Sequence, residues 1–175
     1  MKTLCLTGFS VVALAGVAPG CIAFDPPIPT ETQLRWMDWE VGAMSTYSMQ
    51  TYDQKMSPGN VIPASSFKPV QTRFTDTWLD AAVAFGAKYF VSVMDHFSGF
   101  VGWPTNVTGY EYGVQQATQW QGGNGDMVRD FIASSKAAGV APGVFYSLHN
   151  NWYMDVSGFH TKDPSKQKAY NAIVM

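Results

Sequence analysis

Residues 75–94 read TDTWLDAAVAFGAKYFVSVM, and this stretch decides the predicted fold. Apolar residues recur first at helical spacing, with Thr75 or Asp76 available as the helix N-cap. The apolar face of this predicted helix consists of Trp78, Leu79, Ala82, Val83 and Phe85. Gly86 suits the left-handed position that ends a helix, and residues 89–94 follow at once as a buried strand.

The same order of elements returns in residues 126–148, which read DMVRDFIASSKAAGVAPGVFYSL. Asn124 or Asp126 can cap a helix whose apolar face holds Met127, Val128, Phe131 and Ile132. Gly139 ends that helix, and residues 143–148 are predicted as the next strand. Strands this apolar are expected to be covered on both faces. A repeated helix, glycine and apolar strand indicates a parallel sheet with helical crossovers.

The flanking sequence supplies the remaining elements. Thr30 and Gln33 have the spacing of a capping box, which predicts a short helix to about Trp39. Residues 41–47 are the first strand candidate, and residues 50–72 are predicted as a long loop. Asp163 and Pro164 are a good N-cap and N1 pair for a third crossover helix. Three parallel strands do not close a barrel, so we expect the chain to be the first part of a larger fold, although a small open sheet stays possible.

Composition excludes several classes of protein. The 175 residues are 46% hydrophobic and 14% charged, with a net charge of -2. Nucleic-acid binding is not expected because a basic footprint is absent. Past the first 24 residues no apolar run approaches the roughly 20 residues of a spanning helix, so stable membrane insertion is not expected either.

The N-terminus has the pattern of a cleaved signal peptide. Lys2 precedes an apolar stretch over residues 4–17, and Cys21-Ile22-Ala23 ends in a small-x-small cleavage pattern. Residues 1–23 are therefore predicted to be a signal peptide, which directs the protein to the secreted, extracellular or lysosomal route. Residues 18–21 loosely resemble a bacterial lipoprotein site, which is the alternative. Asn106 begins an Asn-x-Thr sequon and is a candidate for glycosylation.

Polar side chains collect where the predicted strands end. The first strand runs into Thr46, the second into His96, and the third into Tyr146 and His149. In parallel sheets with helical crossovers, ligands bind beyond these carboxyl ends. Trp103 lies shortly after the second strand, and an aromatic face beside hydrogen-bonding groups suits a sugar. Core packing is the alternative role for Trp103 and Tyr146.

The sequence contains no pattern that predicts a metal site or a cofactor site. Two isolated histidines do not make a recognisable metal site. Residues 122–125 are rich in glycine but lack the lysine and the preceding strand of a phosphate-binding loop. We therefore expect no metal and no cofactor.

Residues 93–104, VMDHFSGFVGWP, resemble the Lys-His-His-Asp-Gly-Phe…Trp-Pro signature of glycoside hydrolase family 29, the α-L-fucosidases. Flanking features agree in order: residues 36–47 resemble the first helix and strand of that family, and residues 74–89 its second helix. Residues 125–128 and 139–147 resemble its GD…V helix and GxYYS strand. The resemblance covers about residues 33 to 155.

This resemblance implies a (β/α)8 TIM barrel, of which the chain would hold the first three βα units. Residues 24–175 would then be the N-terminal portion of the catalytic domain. The family acts by a retaining mechanism with a carboxylate nucleophile and a second carboxyl as acid/base. His96 matches the first histidine of the signature, Tyr146 a substrate-binding tyrosine, and Trp103 the signature tryptophan.

Departures from the signature concern the expected site. Phe97 replaces the second histidine, Ser98 the aspartate, and Asp95 the lysine, while Thr46 replaces a histidine of the first strand. No catalytic residue is assigned, because the resemblance implies a nucleophile and an acid/base beyond Met175.

Three functions follow as hypotheses. The first is a secreted α-L-fucosidase that acts on fucosylated glycans or glycoconjugates and is represented here by its N-terminal part. The second is a non-catalytic relative that binds fucose or related glycans, which Thr46 and Phe97 favour. The third is a secreted structural or interaction protein.

Overall fold

The computed structural model describes residues 26–71 and 73–175, and the predicted signal peptide lies outside these residues. Four helices are found in the described part: α1 (Glu31–Met37), α2 (Phe74–Ala84), α3 (Met127–Ala138) and α4 (Pro164–Val174). The described strands are β1 (Gly42–Thr46), β2 (Tyr89–Asp95), β3 (Ala141–Tyr146), β4 (Asn150–Asn151) and β5 (Val156–Ser157). Short 3₁₀ turns span Met49–Thr51, Ala64–Ser66, Val114–Gln116 and Gln121–Gly123.

The main sheet is parallel and has the order β1-β2-β3. Gly42 pairs with Tyr89 at one end of β1, and Thr46 pairs with Val93 at the other. α2 connects β1 to β2, and α3 connects β2 to β3, so each crossover contains one helix. Strands β4 and β5 form a separate antiparallel pair after β3. The predicted α/β class with a parallel sheet is confirmed.

The core is largely aromatic. The Phe67 ring stacks on Phe100 with centroids 4.8 Å apart and meets Trp120 edge-on at 5.3 Å. Phe131 of α3 contacts Phe90 of β2 edge-on at 5.5 Å, which fixes the helix on the sheet. Phe67 lies in the long loop between β1 and α2, so this predicted loop contributes side chains to the core. Dense ring contacts of this kind add to the free energy gained from burial alone.

Most predicted helix ends are present in the structure. Thr30 and Gln33 form the capping box. The Asp126 carboxyl accepts from the backbone N–H of Arg129 at 2.8 Å, and Gly139 ends α3 with φ at 68°. Asp163 caps α4, with Pro164 as its first residue. No described helix has both the length and the apolar character needed to cross a bilayer.

The predicted cap of α2 is wrong. The helix begins at Phe74, after Arg73, and neither Thr75 nor Asp76 caps it. Both side chains instead contact Ser134 of α3: its hydroxyl lies 2.9 Å from that of Thr75 and donates to the Asp76 carboxylate at 2.5 Å. Helix-to-helix hydrogen bonds thus use the groups that would otherwise cap α2. The predicted first helix also ends earlier, at Met37.

The third strand differs from its prediction in position and in burial. It spans Ala141–Tyr146, two residues earlier than expected, because the N–H of Ala141 already donates to the Lys88 carbonyl at 2.9 Å. Val144 and Phe145 are 49% and 42% exposed, so the expected cover on both faces is not found on this strand. β3 lies at the edge of the described sheet, with a strand neighbour on one side, and this explains its exposure.

Candidate functional site

The carboxyl ends of β2 and β3 bring Asp95 and Tyr146 side by side. The register pairs Val93 with Phe145 and then Asp95 with Tyr146, so Met94 is an extra residue in β2. Such a bulge turns side chains away from strict alternation and is common beside functional sites. The backbone N–H of Ser147 then donates to the Asp95 carbonyl at 3.1 Å, which keeps the two strands together beyond the bulge.

The loop after β2 is held by a buried hydrogen-bond network. The Asn151 side-chain amide donates to the Tyr110 hydroxyl at 2.6 Å, and that hydroxyl donates to the Gly99 carbonyl at 2.6 Å. Gly99 has φ at 77°, and a Cβ there would overlap the Asn151 side chain. The buried Ser98 hydroxyl accepts from the backbone N–H of Phe100 at 3.2 Å. These bonds fix the segment that carries His96.

Buried polar atoms without a hydrogen-bond partner gather at this end of the sheet. Among the described residues they include both Asp95 carboxyl oxygens, His96 Nδ1 and the Tyr146 hydroxyl. Asp95 is 2% exposed. Buried polar groups are nearly always hydrogen-bonded, so several unpaired ones at neighbouring positions mark a functional site. Their chemistry suits a ligand that carries hydroxyl groups.

Burial changes the protonation of these groups. Loss of solvation raises the pKa of Asp95 well above its ordinary value, against smaller opposing effects of the Tyr146 hydroxyl and the His96 backbone. The Tyr146 hydroxyl is thus close enough to act on Asp95, although the pair does not meet strict hydrogen-bond geometry. Burial also lowers the pKa of His96, which favours the neutral imidazole. A neutral imidazole has one donor and one acceptor nitrogen, and a neutral carboxyl can donate.

The other predicted site residues lie in different surroundings. The Trp103 ring is partly buried against the core, and its centroid lies 5.9 Å from that of Tyr146, so this tryptophan both packs and flanks the site. Thr46 is exposed at the carboxyl end of β1, paired in register with Val93. His149 is exposed, and its ring contacts Phe159 edge-on at 5.1 Å beside the β4–β5 pair. The structure therefore groups His96, Tyr146 and Trp103 more closely than His149.

Two further residues belong to the site although sequence reasoning did not select them. Asp95 stands where the signature has a lysine, yet it is a buried carboxyl that pairs in register with Tyr146. Asn151 is fully buried and positions the loop after β2. The bulge that pairs Asp95 with Tyr146 leaves no sequence signal, whereas the position of Asn151 shortly after the third strand is itself a sequence signal.

Asp155, which follows the third strand, has a structural contact. The exposed Asp155 carboxylate forms an ion pair with Lys166 of α4. Among the described residues no group of three or more His, Cys, Asp or Glu side chains could hold a metal ion.

Comparison with known proteins gives the family. The family model "Alpha-L-fucosidase" matches residues 20–175. "Putative alpha-L-fucosidase 1" of Oryza sativa subsp. japonica is 28% identical over 148 residues, and the match covers 81% of this chain and 28% of that protein. The chain thus spans less than a third of the curated relative that it matches.

Solved structures agree with the family match. The structure titled "putative alpha-L-fucosidase" from Bacteroides thetaiotaomicron has a TM-score of 0.72 at 28% identity, covering 86% of this chain and 36% of that one. A glycoside hydrolase 29 family member from an unknown rumen bacterium has a TM-score of 0.61 at 33% identity, covering 71% of this chain and 22% of that one. By its fold, its signature loop and these matches, the chain belongs to the α-L-fucosidase family, glycoside hydrolase family 29.

Proposed function

We propose that this chain is part of the (β/α)8 catalytic domain of a secreted α-L-fucosidase and holds the fucose ring at the carboxyl ends of β2 and β3. The observation that carries the proposal is the group of unpaired buried polar atoms on Asp95, His96 and Tyr146. Trp103 beside them offers an apolar ring to the C–H face of a sugar. The family membership supplies the sugar: a terminal α-L-fucose on a glycan or glycoconjugate.

The binding step follows from the protonation of the site. Neutral His96 donates a hydrogen bond from one ring nitrogen and accepts one at the other. The Tyr146 hydroxyl also donates and accepts. Sugar hydroxyls need such mixed partners, and a site with little water strengthens each bond. These groups therefore orient the ring, while Trp103 excludes water from one side of it.

Hydrolysis needs a pair of carboxyl groups that the described site does not contain. Retaining hydrolysis uses two carboxyl groups about 5 Å apart. Burial raises the pKa of Asp95 and favours the neutral acid, which is a poor nucleophile, and the described Asp155 carboxylate is exposed and paired with Lys166. We therefore assign sugar binding, and not the pair of catalytic carboxyls, to the described ends of β2 and β3.

A non-catalytic glycan-binding relative is the second candidate. Phe97 favours it: the ring stands where the signature has a histidine, 4.3 Å from the His96 ring and 6.2 Å from that of Trp152, centroid to centroid. A phenyl ring cannot hydrogen-bond a sugar hydroxyl but can pack against the C6 methyl group of fucose. Turnover by the full-length protein would separate the two candidates.

The secretory route rests on sequence and is proposed as well. Residues 1–23 would be removed as a signal peptide. Asn106 is solvent-exposed, which a glycan on this sequon would require.

The test is titration of the purified chain with L-fucose, followed by nuclear magnetic resonance. We expect His96→Ala and Tyr146→Phe to weaken binding several-fold, since each removes a hydrogen bond worth about 0.5–1.5 kcal/mol. His160→Ala is the matched control, because His160 is exposed and its ring contacts the Gly158 carbonyl in the β5 turn. Equal affinity of His96→Ala and the native chain would reject the proposed site.

A further inference from the structure

Asp95 is the buried carboxyl of the proposed sugar site. The α-L-fucosidase signature has a lysine at this position, so the family pattern assigns Asp95 nothing. Both of its oxygens lack a hydrogen-bond partner among the described residues. The described ion pairs instead involve Asp76, Asp130 and Asp155. An uncompensated carboxyl at this depth costs folding free energy.

We propose that Asp95 is a positioning residue for Tyr146: its carboxyl pairs with the Tyr146 hydroxyl and sets the direction in which that hydroxyl donates its proton. The register pairs these two residues directly, through the bulge at Met94. The Tyr146 hydroxyl is also buried and unpaired. Each group is thus an available hydrogen-bond partner for the other across the paired strand ends.

The surroundings of Asp95 contain titratable groups from several elements. Tyr146 faces it from β3, Tyr110 from the loop after β2, and Tyr170 from α4, while His96 follows it in the chain. Tyr110 and Tyr170 already donate to the carbonyls of Gly99 and Leu148. The hydroxyl protons of Tyr110 and Tyr170 are therefore already used in hydrogen bonds. Of the three tyrosines, Tyr146 is the one that remains to pair with Asp95.

The direction of the bond depends on the charge of Asp95. Burial raises the pKa of Asp95 and favours the neutral acid. A neutral acid donates its proton to the Tyr146 oxygen, so the Tyr146 proton turns outward and donates to a ligand. An ionised carboxylate accepts the Tyr146 proton, and Tyr146 then offers a ligand only a lone pair. No covalent bond changes in either state.

This pairing gives Asp95 a role in ligand choice. With Asp95 neutral, Tyr146 favours an acceptor atom such as a ring oxygen or a hydroxyl oxygen of the sugar. The pairing of the two residues stands by itself, whereas its consequence for L-fucose rests on the proposed function.

The pairing is tested by carbon-13 resonance of aspartate-labelled chain across pH. Asp95→Asn assigns the Asp95 carboxyl signal, and we expect that signal to titrate well above the ordinary value of about 4. Tyr146→Phe should raise the midpoint further, because the bond that Tyr146 donates to the carboxylate is stronger than the one it accepts from the neutral acid. Asp155→Asn, which removes an exposed carboxyl, should leave the signal unchanged. An unchanged or lowered midpoint in Tyr146→Phe would overturn the pairing.

The consequence is tested by L-fucose binding near pH 7. Asp95→Leu should bind about 2- to 10-fold more weakly than the native chain, and Asp95→Asn, which keeps a donor to Tyr146, should recover part of that loss. Asp155→Asn, which removes an exposed carboxyl, should bind like the native chain. Equal binding by Asp95→Leu would refute the positioning role. If the native chain itself does not bind L-fucose, the proposed function fails, while the resonance result still decides the pairing.

Discussion

At the scale of single residues, Asp95 couples the candidate site to the stability of the fold. Its carboxyl is buried and lacks an ion-pair partner among the described residues, so the folded chain tolerates it best in the neutral form. A group that is kept neutral in the fold makes stability depend on pH.

Asp95→Asn is expected to reveal this dependence. Because the pKa of Asp95 is raised by folding, the stabilising effect of the neutral acid is complete below about pH 4. It is lost as the pH rises through the folded-state pKa. The variant cannot ionise, so at pH 7 it should be more stable than the native chain by about 1–3 kcal/mol, with the difference vanishing toward pH 4. Urea unfolding at several pH values measures it. A difference that is the same at every pH would count against a buried, neutral Asp95.

Gly99 sets the shape of the loop that carries His96. Both Gly99 and Gly86 have positive φ, at 77° and 86°, so alanine strains the backbone by about 1–2 kcal/mol at either position. Only at Gly99 would the new Cβ overlap Asn151, whereas it meets open space at Gly86. Gly99→Ala should therefore cost a further 1–3 kcal/mol, roughly, from overpacking. Thermal unfolding of both variants tests this, and equal losses would mean that Asn151 moves freely.

At the scale of elements, the predicted helix boundaries are correct where residues close in sequence determine them. They are wrong where tertiary contacts determine them. Asp126 and Asp163 cap the starts of α3 and α4, and Gly139 ends α3, as expected, because capping depends on neighbours in sequence. The cap of α2 was wrong because Ser134, distant in sequence, competes for Asp76. The strand-end positions of the site residues followed from the helix–strand repeat. The Asp95–Tyr146 pairing depends on a bulge, which periodicity does not encode.

The cap of α3 is a quantitative test at this scale. Asp126→Ala removes the acceptor of the Arg129 N–H and should lower stability by about 0.5–2 kcal/mol. Asp80→Ala is the matched control, since Asp80 is exposed within α2, and it should change stability by less than about 0.5 kcal/mol. Denaturant unfolding measures both. Similar losses in the two variants would show that charge, rather than capping, matters at residue 126.

At the scale of the whole molecule, the described sheet has an exposed apolar edge. Val144 and Phe145 of β3 are partly open to solvent, and an unpaired edge strand favours association with other chains. The chain also covers 36% of the Bacteroides thetaiotaomicron structure and 22% of the rumen bacterial one. The proposed binding of a sugar uses the ends of β2 and β3, whereas its hydrolysis needs carboxyls on both sides of the anomeric carbon.

We therefore expect the 175-residue chain alone not to hydrolyse 4-nitrophenyl α-L-fucoside. Asp95 is buried and favoured as the neutral acid, Asp155 pairs with Lys166, and the Asp163 carboxyl accepts from the backbone N–H groups of Ser165 and Lys166 at 2.8 and 3.2 Å. These three acidic groups thus have other roles. Release of 4-nitrophenol by the folded chain is measured beside His96→Ala. Turnover above background that the variant loses would show that this chain carries its own catalytic carboxyls, and would move the chemistry onto the ends of the three described strands.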